Sequence, residues 1–264
     1  MTLITRASLL LILPAILLAT AWSAESPFHA TLCEGAYKRH VQGICTNCKD
    51  AIYWCWTDVL VKTDTNGRVI KQVPVANHHG DLCFYDGRVY VATNLGKFNE
   101  PAGKADSWVY VYDGETLAEI ARHPVPELVH GAGGITYHDG RFIIVGGLPK
   151  GVNENYLYEY DEAFKFRTRH VLASGYTLMG IQTVASADGA LWFGCYGKPA
   201  ELLRSDGGFR FTGKWPFNAS YGIAALGQGR FLIAQNKQTK DKLNHGSVVI
   251  ARFDEKAGLA IEKP

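Results

Sequence analysis

Short apolar runs recur along the chain, each pair joined by a turn of two small polar residues, and no stretch repeats its apolar positions at a helical period. Four stretches are alike: "GDLCFYDGRVYVATN" (80–94), "GGITYHDGRFIIVGG" (133–147), "QTVASADGALWFGCY" (182–196) and "GIAALGQGRFLIAQN" (222–236). Each reads as an apolar strand, a tight turn ending on Gly87, Gly140, Gly189 or Gly229, and a second apolar strand. The Asp-Gly and Gln-Gly pairs suit positive φ in a two-residue hairpin turn. A further strand pair follows each hairpin, as in "SWVYVYDGETLAEIARHPV" (107–125) and "NYLYEYDEAFKFRTRHV" (155–171). The unit is therefore two hairpins, or four antiparallel strands.

An earlier unit fits the pattern more loosely. Its strands are "HVQGI" (40–44) and "AIYWCWT" (51–57), with an outer hairpin over 58–75 turning at Asn66-Gly67. The four repeat glycines lie 53, 49 and 40 residues apart. Four-stranded units at such a period are propeller blades. Runs such as "FIIV" (142–145) lack clean alternation, as expected where both faces of a sheet pack against neighbours. The pattern predicts an all-β fold, a five-bladed β-propeller of four-stranded antiparallel blades. Six blades are the main alternative, and a β-sandwich is disfavoured because it has no use for the same hairpin four times. Residues 25–36 are candidates for an extra strand that closes the ring.

The N-terminus departs from this pattern. Arg6 precedes the apolar stretch "ASLLLILPAILLA" (7–19), and small residues follow it. That is the form of a secretory signal peptide over 1–23, leaving 24–264 as a single propeller domain in a secreted or periplasmic protein. The run is short for a membrane anchor, and no later segment is long and apolar enough to span a bilayer. An exported chain permits disulfides. Four of the six cysteines (Cys33, Cys45, Cys48, Cys55) crowd into 33–55, where one or two bridges are expected. "CTNC" (45–48) also has metal or redox spacing, but Lys49 follows it, which excludes a haem-attachment motif. The net charge of +2 comes without a basic stripe, so no nucleic-acid surface is expected. "NAS" (218–220) fits a glycosylation acceptor at Asn218. Nothing in the chain signals association, and a monomer is the default.

Propeller geometry gathers the start of each innermost strand and the end of the next at one face. Five of the nine histidines map there: His40, His78, His79, His130 and His245. Gln42, Asp81, Asn94, Gln182, Tyr196, Tyr221 and Asn236 map to the same rim, beside Trp56, Met179 and Cys195. Convergent polar groups over an apolar ring are the usual form of a ligand pocket, while isolated polar residues near an axis commonly bridge blades. Histidine serves as base or acid near neutral pH. This assigns His79 or His130 as catalytic base, Tyr221 or Tyr196 as proton donor and Asp81 as orienter. His40, Gln42, His78, Asn94, Gln182, Tyr196, Asn236 and His245 are then substrate-binding residues. His40, His79 and His130 are also a candidate site for a divalent metal on the axis. Lys97 or Lys237 could neutralise a uronate carboxylate during proton abstraction. Cys195 is a further candidate nucleophile beside His130. The loop 95–106 is a candidate lid.

The same motifs resemble the secreted glutaminyl cyclases (glutamine cyclotransferases) of the plant and bacterial type, which are five-bladed propellers of similar length. "HVQGI" (40–44) resembles that family's "TQGL", "HHGDLCF" (78–84) its "FGEGLT" and "GGIT" (133–136) its "WGLT". The resemblance implies the propeller fold and a substrate-lining role for Gln42. The catalytic motif is not matched: the family's acid falls at Gly80, with Asp81 one position away, and its pocket tryptophan falls at Gly133. Its "LNELEW" segment is replaced by "LMGIQTV" (178–184). The leading expectation is an enzyme acting on a polar small molecule or glycan by lyase or hydrolase chemistry. A cyclotransferase using Asp81 and a non-enzymatic sugar- or protein-binding propeller are the alternatives.

Overall fold

The structure, a computed structural model, describes residues 26–263. The expected signal peptide lies outside the described residues. A short strand β1 (Thr31–Leu32) comes first. Blade I comprises β2 (Gly43–Thr46), β3 (Ala51–Cys55), β4 (Val59–Asp64) and β5 (Val69–Pro74). Blade II comprises β6 (His79–Tyr85), β7 (Arg88–Asn94), β8 (Ser107–Asp113) and β9 (Glu119–Pro124). Blade III comprises β10 (Ala132–His138), β11 (Arg141–Gly146), β12 (Asn155–Tyr160) and β13 (Phe166–Leu172). Blade IV comprises β14 (Leu178–Ala187), β15 (Ala190–Tyr196), β16 (Glu201–Asp206) and β17 (Phe211–Trp215). Blade V comprises β18 (Ile223–Gly227), β19 (Arg230–Gln238), β20 (Asn244–Asp254) and β21 (Gly258–Ile261). Each sheet pairs its strands in chain order and antiparallel, which makes a five-bladed β-propeller.

The inner hairpins turn as their sequences require. Asp86-Gly87, Asp139-Gly140, Asp188-Gly189 and Gln228-Gly229 all have positive φ at both positions. That is the primed turn whose twist matches the flanking strands. Five apolar clusters, one between each pair of neighbouring blades, form the core. Along β11, Phe142 and Ile144 pack towards blade II while Ile143 and Val145 pack towards blade IV. This is why that strand carries no polar face.

The ring closes through the N-terminal segment. Strand β1 pairs with the first half of β20 (Thr31 with Val248, Leu32 with Ser247), and β21 takes the second half. Tyr37 and Asn244 then exchange backbone hydrogen bonds, at 2.9 and 2.7 Å. Glu34 reaches blade I: its amide donates to the Gly67 carbonyl at 2.8 Å, and its carboxylate accepts from the Val69 amide at 2.9 Å. Tyr37 stacks on Trp56 with ring centres 4.0 Å apart.

The cysteines correct one expectation, since all six are unpaired. Cys33 packs between blades V and I, whereas Cys45 and Cys55 pack between blades I and II. In blade I, Gly43 lies opposite Cys55 and Cys45 opposite Tyr53. Cys45 and Cys55 are thus diagonal neighbours, about 7–8 Å apart, beyond the usual disulfide span.

Candidate functional site

The inner strands converge at one face around a cavity of about 690 Å3, within the range of small-molecule sites. Blade I contributes His40 and Gln42 from the approach to β2. Blade II contributes His78, Gly80 and Asn94, and blade IV Met179, Gln182 and Tyr196. Tyr221 and Asn236 come from blade V. The inner strands approach closely enough that glycine is needed: a Cβ on Gly80 would lie 2.5 Å from the Gly133 carbonyl oxygen.

His40 is the focus of the polar contacts. Its Nε2 lies 3.3 Å from the Tyr196 hydroxyl and 3.2 Å from Gln42 Nε2. Gln42 Nε2 has only N–H groups to offer. His40 Nε2 is therefore the bare accepting nitrogen, and the ring proton sits on Nδ1. Protonating Nε2 would set one N–H against another. Burial, reinforced by the nearby Arg39 charge, lowers the His40 pKa from its usual 6.5. Tyr196 is pushed up to about 12, by burial first and then by Tyr221, so it stays a phenol. The rings of His40, Tyr196 and Tyr221 meet edge-on at 6.0 and 6.4 Å between centres.

Two strained residues hold this group. Gln42 Nε2 also donates to Thr57 Oγ1 at 3.0 Å, and Thr57 has φ of 74°. Met179 has φ of 62°, and Gln182 Nε2 donates to its carbonyl at 2.8 Å. A β-branched side chain in the left-handed region costs on the order of 1–3 kcal/mol, a feature that clusters at functional sites.

Several expectations about individual residues need correction. His79 borders the cavity, but its ring is fully buried between blades I and II. Its Nδ1 donates to the Ala76 carbonyl at 2.5 Å and its Nε2 accepts from the Tyr112 hydroxyl at 2.7 Å. Burial lowers its pKa to about 4, and neither nitrogen is left for substrate or metal. His130 is outside the lining: its Nδ1 meets the Glu100 carbonyl at 2.9 Å and its ring stacks near Tyr156. It braces the 95–106 loop. His245 is exposed on β20, outside the lining. The axial metal trio of His40, His79 and His130 is consequently not assembled, and no cluster of three metal-ligating side chains occurs among the described residues. Asp81 is fully buried beside the axis, where Oδ2 accepts from the Val184 amide at 2.9 Å and Oδ1 has no partner. Desolvation raises its pKa well above the ordinary 3.8. Cys195 is also buried, with its thiol pKa raised by desolvation, which is the state of an inert cysteine. Trp56 is buried against Tyr37 rather than facing the cavity. Lys97 and Lys237 are exposed and outside the lining.

Phe98, Gln238 and Asn244 line the cavity without having been singled out in the sequence. Strand alternation was the available signal for Gln238, two residues beyond Asn236 on β19. Asn244 lies directly opposite Gln238 across the ladder. Phe98 stands in an irregular loop, which carries no such signal.

The molecule is thus a propeller with a polar axial cavity. No protein-family model matches the chain, and no curated protein matches it in sequence. Solved structures do. The glutaminyl cyclase of Myxococcus xanthus is 14% identical with a TM-score of 0.56, covering 86% of this chain and all of that one. A chain of the nidogen/laminin complex is 8% identical with a TM-score of 0.50, covering 85% of this chain and 80% of that one. At such identities the likeness is one of fold.

Proposed function

We propose that the axial cavity is the reaction site of an exported enzyme acting on a polar small molecule or glycan, with His40 and Tyr196 as its acid–base pair. The observation that carries this reading is the bare Nε2 of His40, held towards the Tyr196 hydroxyl by the Gln42–Thr57 hydrogen bond. A neutral imidazole with a lowered pKa is a competent base at pH 7. It takes a proton from water or a substrate hydroxyl, directly or through Tyr196, and returns it to the leaving group. Such a pair suits hydrolysis of an ester or lactone rather than of a glycosidic bond, since no carboxylate lines the cavity. Elimination beside a uronate carboxylate is less well served, because Lys97 and Lys237 stand outside the lining. Cyclisation of an N-terminal glutamine, as the resemblance implied, finds little support in a cavity where Asp81 presents no surface.

The test is turnover of glycan esters, lactones and polyuronates, followed with His40→Ala and Tyr196→Phe. His40→Ala should lower kcat by about 10²–10⁴-fold, and the acid limb of the wild-type profile should lie below pH 6.5. Unchanged turnover and ligand affinity in both variants would reduce the cavity to a structural feature.

A further inference from the structure

The polar groups around the cavity separate into those already satisfied by the protein and those left for a ligand. Asn94 uses both ends of its amide, donating to the Gly96 carbonyl at 3.1 Å and accepting from the Asp106 amide at 3.0 Å. Asn236 accepts from the Val41 amide at 3.1 Å and donates to Asn244 at 3.0 Å. Gln42 and Gln182 differ: Gln42 spends both N–H groups on the protein and Gln182 one of its two, and each leaves its Oε1 without a protein partner among the described residues. The Tyr221 hydroxyl, His40 Nδ1–H, the exposed His78 ring and the Gln238 amide are open in the same way. No Asp, Glu, Lys or Arg lines the cavity, while Phe98, Met179 and the Tyr221 ring supply apolar surface.

From this accounting we infer that the cavity selects an uncharged, polyhydroxylated ligand, a neutral saccharide, and discriminates against both its acidic and its amino counterparts. The inference deepens the proposed function and rests on that reading for the location of the site.

The physical basis is complementarity of donors and acceptors. The amide oxygens of Gln42, Gln182 and Gln238 need donors, and a phenol, the His40 and His78 imidazoles and the free amide N–H groups can use acceptors; vicinal hydroxyl groups supply both. A carboxylate has no donor. Placed here it would leave Gln42 Oε1 and Gln182 Oε1 unpaired, and no Lys or Arg of the lining would offset its desolvation. An ammonium group would find no carboxylate, since the adjacent Asp81 is fully buried against Gly43 and Gly134. Ring C–H faces of a sugar suit Phe98, Met179 and Tyr221.

Binding of matched probes by calorimetry tests this without turnover. Neutral galacto-oligosaccharides are compared with oligogalacturonates, and gluco-oligosaccharides with chitosan oligomers. Neutral members should bind at least about tenfold more tightly than their charged partners, the equivalent of one unpaired buried polar group. Gln182→Lys should narrow or reverse the preference for galactose over galacturonate while circular dichroism and Tm stay close to wild type. Equal or tighter binding of the charged members overturns the inference, and so does the absence of millimolar binding by every neutral probe. Selective neutral binding with a catalytically silent protein would overturn the enzyme reading alone.

Discussion

Asp81 isolates the energetics of a single buried acid. Its carboxyl crosses the axis from β6 to the Val184 amide, and Gly43 and Gly134 lie against it; a Cβ on Gly43 would meet Oδ1 at 2.2 Å. With its pKa raised in the folded state, Asp81 ionises first in the unfolded chain as pH rises above 3.8, so stability is lost with rising pH. Asp81→Asn removes that loss and keeps an acceptor for Val184. Thermal denaturation should show the variant a few degrees more stable than wild type at pH 7–8, with the gap closing below pH 3.8. An equal or lower Tm at pH 8 would mean that the carboxylate has compensation in the folded protein. Residue type alone suggested catalysis for Asp81 and His79. What reversed both was the direction of one side chain each, a property set by neighbouring strands remote in sequence. His40 is the converse case: a single histidine in an irregular approach to a strand gains its chemistry from Tyr196, which is 156 positions away.

Elements were largely legible. Asp-Gly and Gln-Gly pairs marked four turns because few other dipeptides accept two successive positive φ values. Gly140 has φ of 79° with open space around its Cβ position, so only backbone strain opposes a side chain there. Gly140→Ala should cost about 1–2 kcal/mol, read as a shift in urea midpoint at constant slope, and should leave the cavity unaffected. Blade I was less legible. Its inner turn lacks the Asp-Gly signal, and its first strand begins at Gly43 rather than at His40. The residues before it belong to the cavity wall instead of the ladder. Val41, for example, gives its amide to Asn236.

At the scale of the whole molecule, stability depends on a closure made by very few residues. Strand β1 and Tyr37 join blade V to blade I, and Phe28, Cys33 and Tyr37 fill part of the core between them. Tyr37→Ala should cost about 3 kcal/mol or more through the lost stack on Trp56 and the void left behind. Limited proteolysis should then cut first near blades I and V. Cleavage distributed evenly over all five blades would indicate that the ring is held by its other interfaces. The same closure brings His40 and Gln42, near one end of the chain, beside Tyr221 and Asn236 near the other.

The sequence by itself determined the antiparallel blade, its turns and its repetition, because strand alternation and positive-φ turns are local properties written in consecutive residues. It also placed most of the polar residues at the correct face, since strand order in a propeller maps chain position to height along the axis. Only the tertiary structure decided which of those side chains face the axis, which are spent on other blades and which thiols lie too far apart to join. Those outcomes depend on contacts between distant segments, and on burial that local sequence does not record.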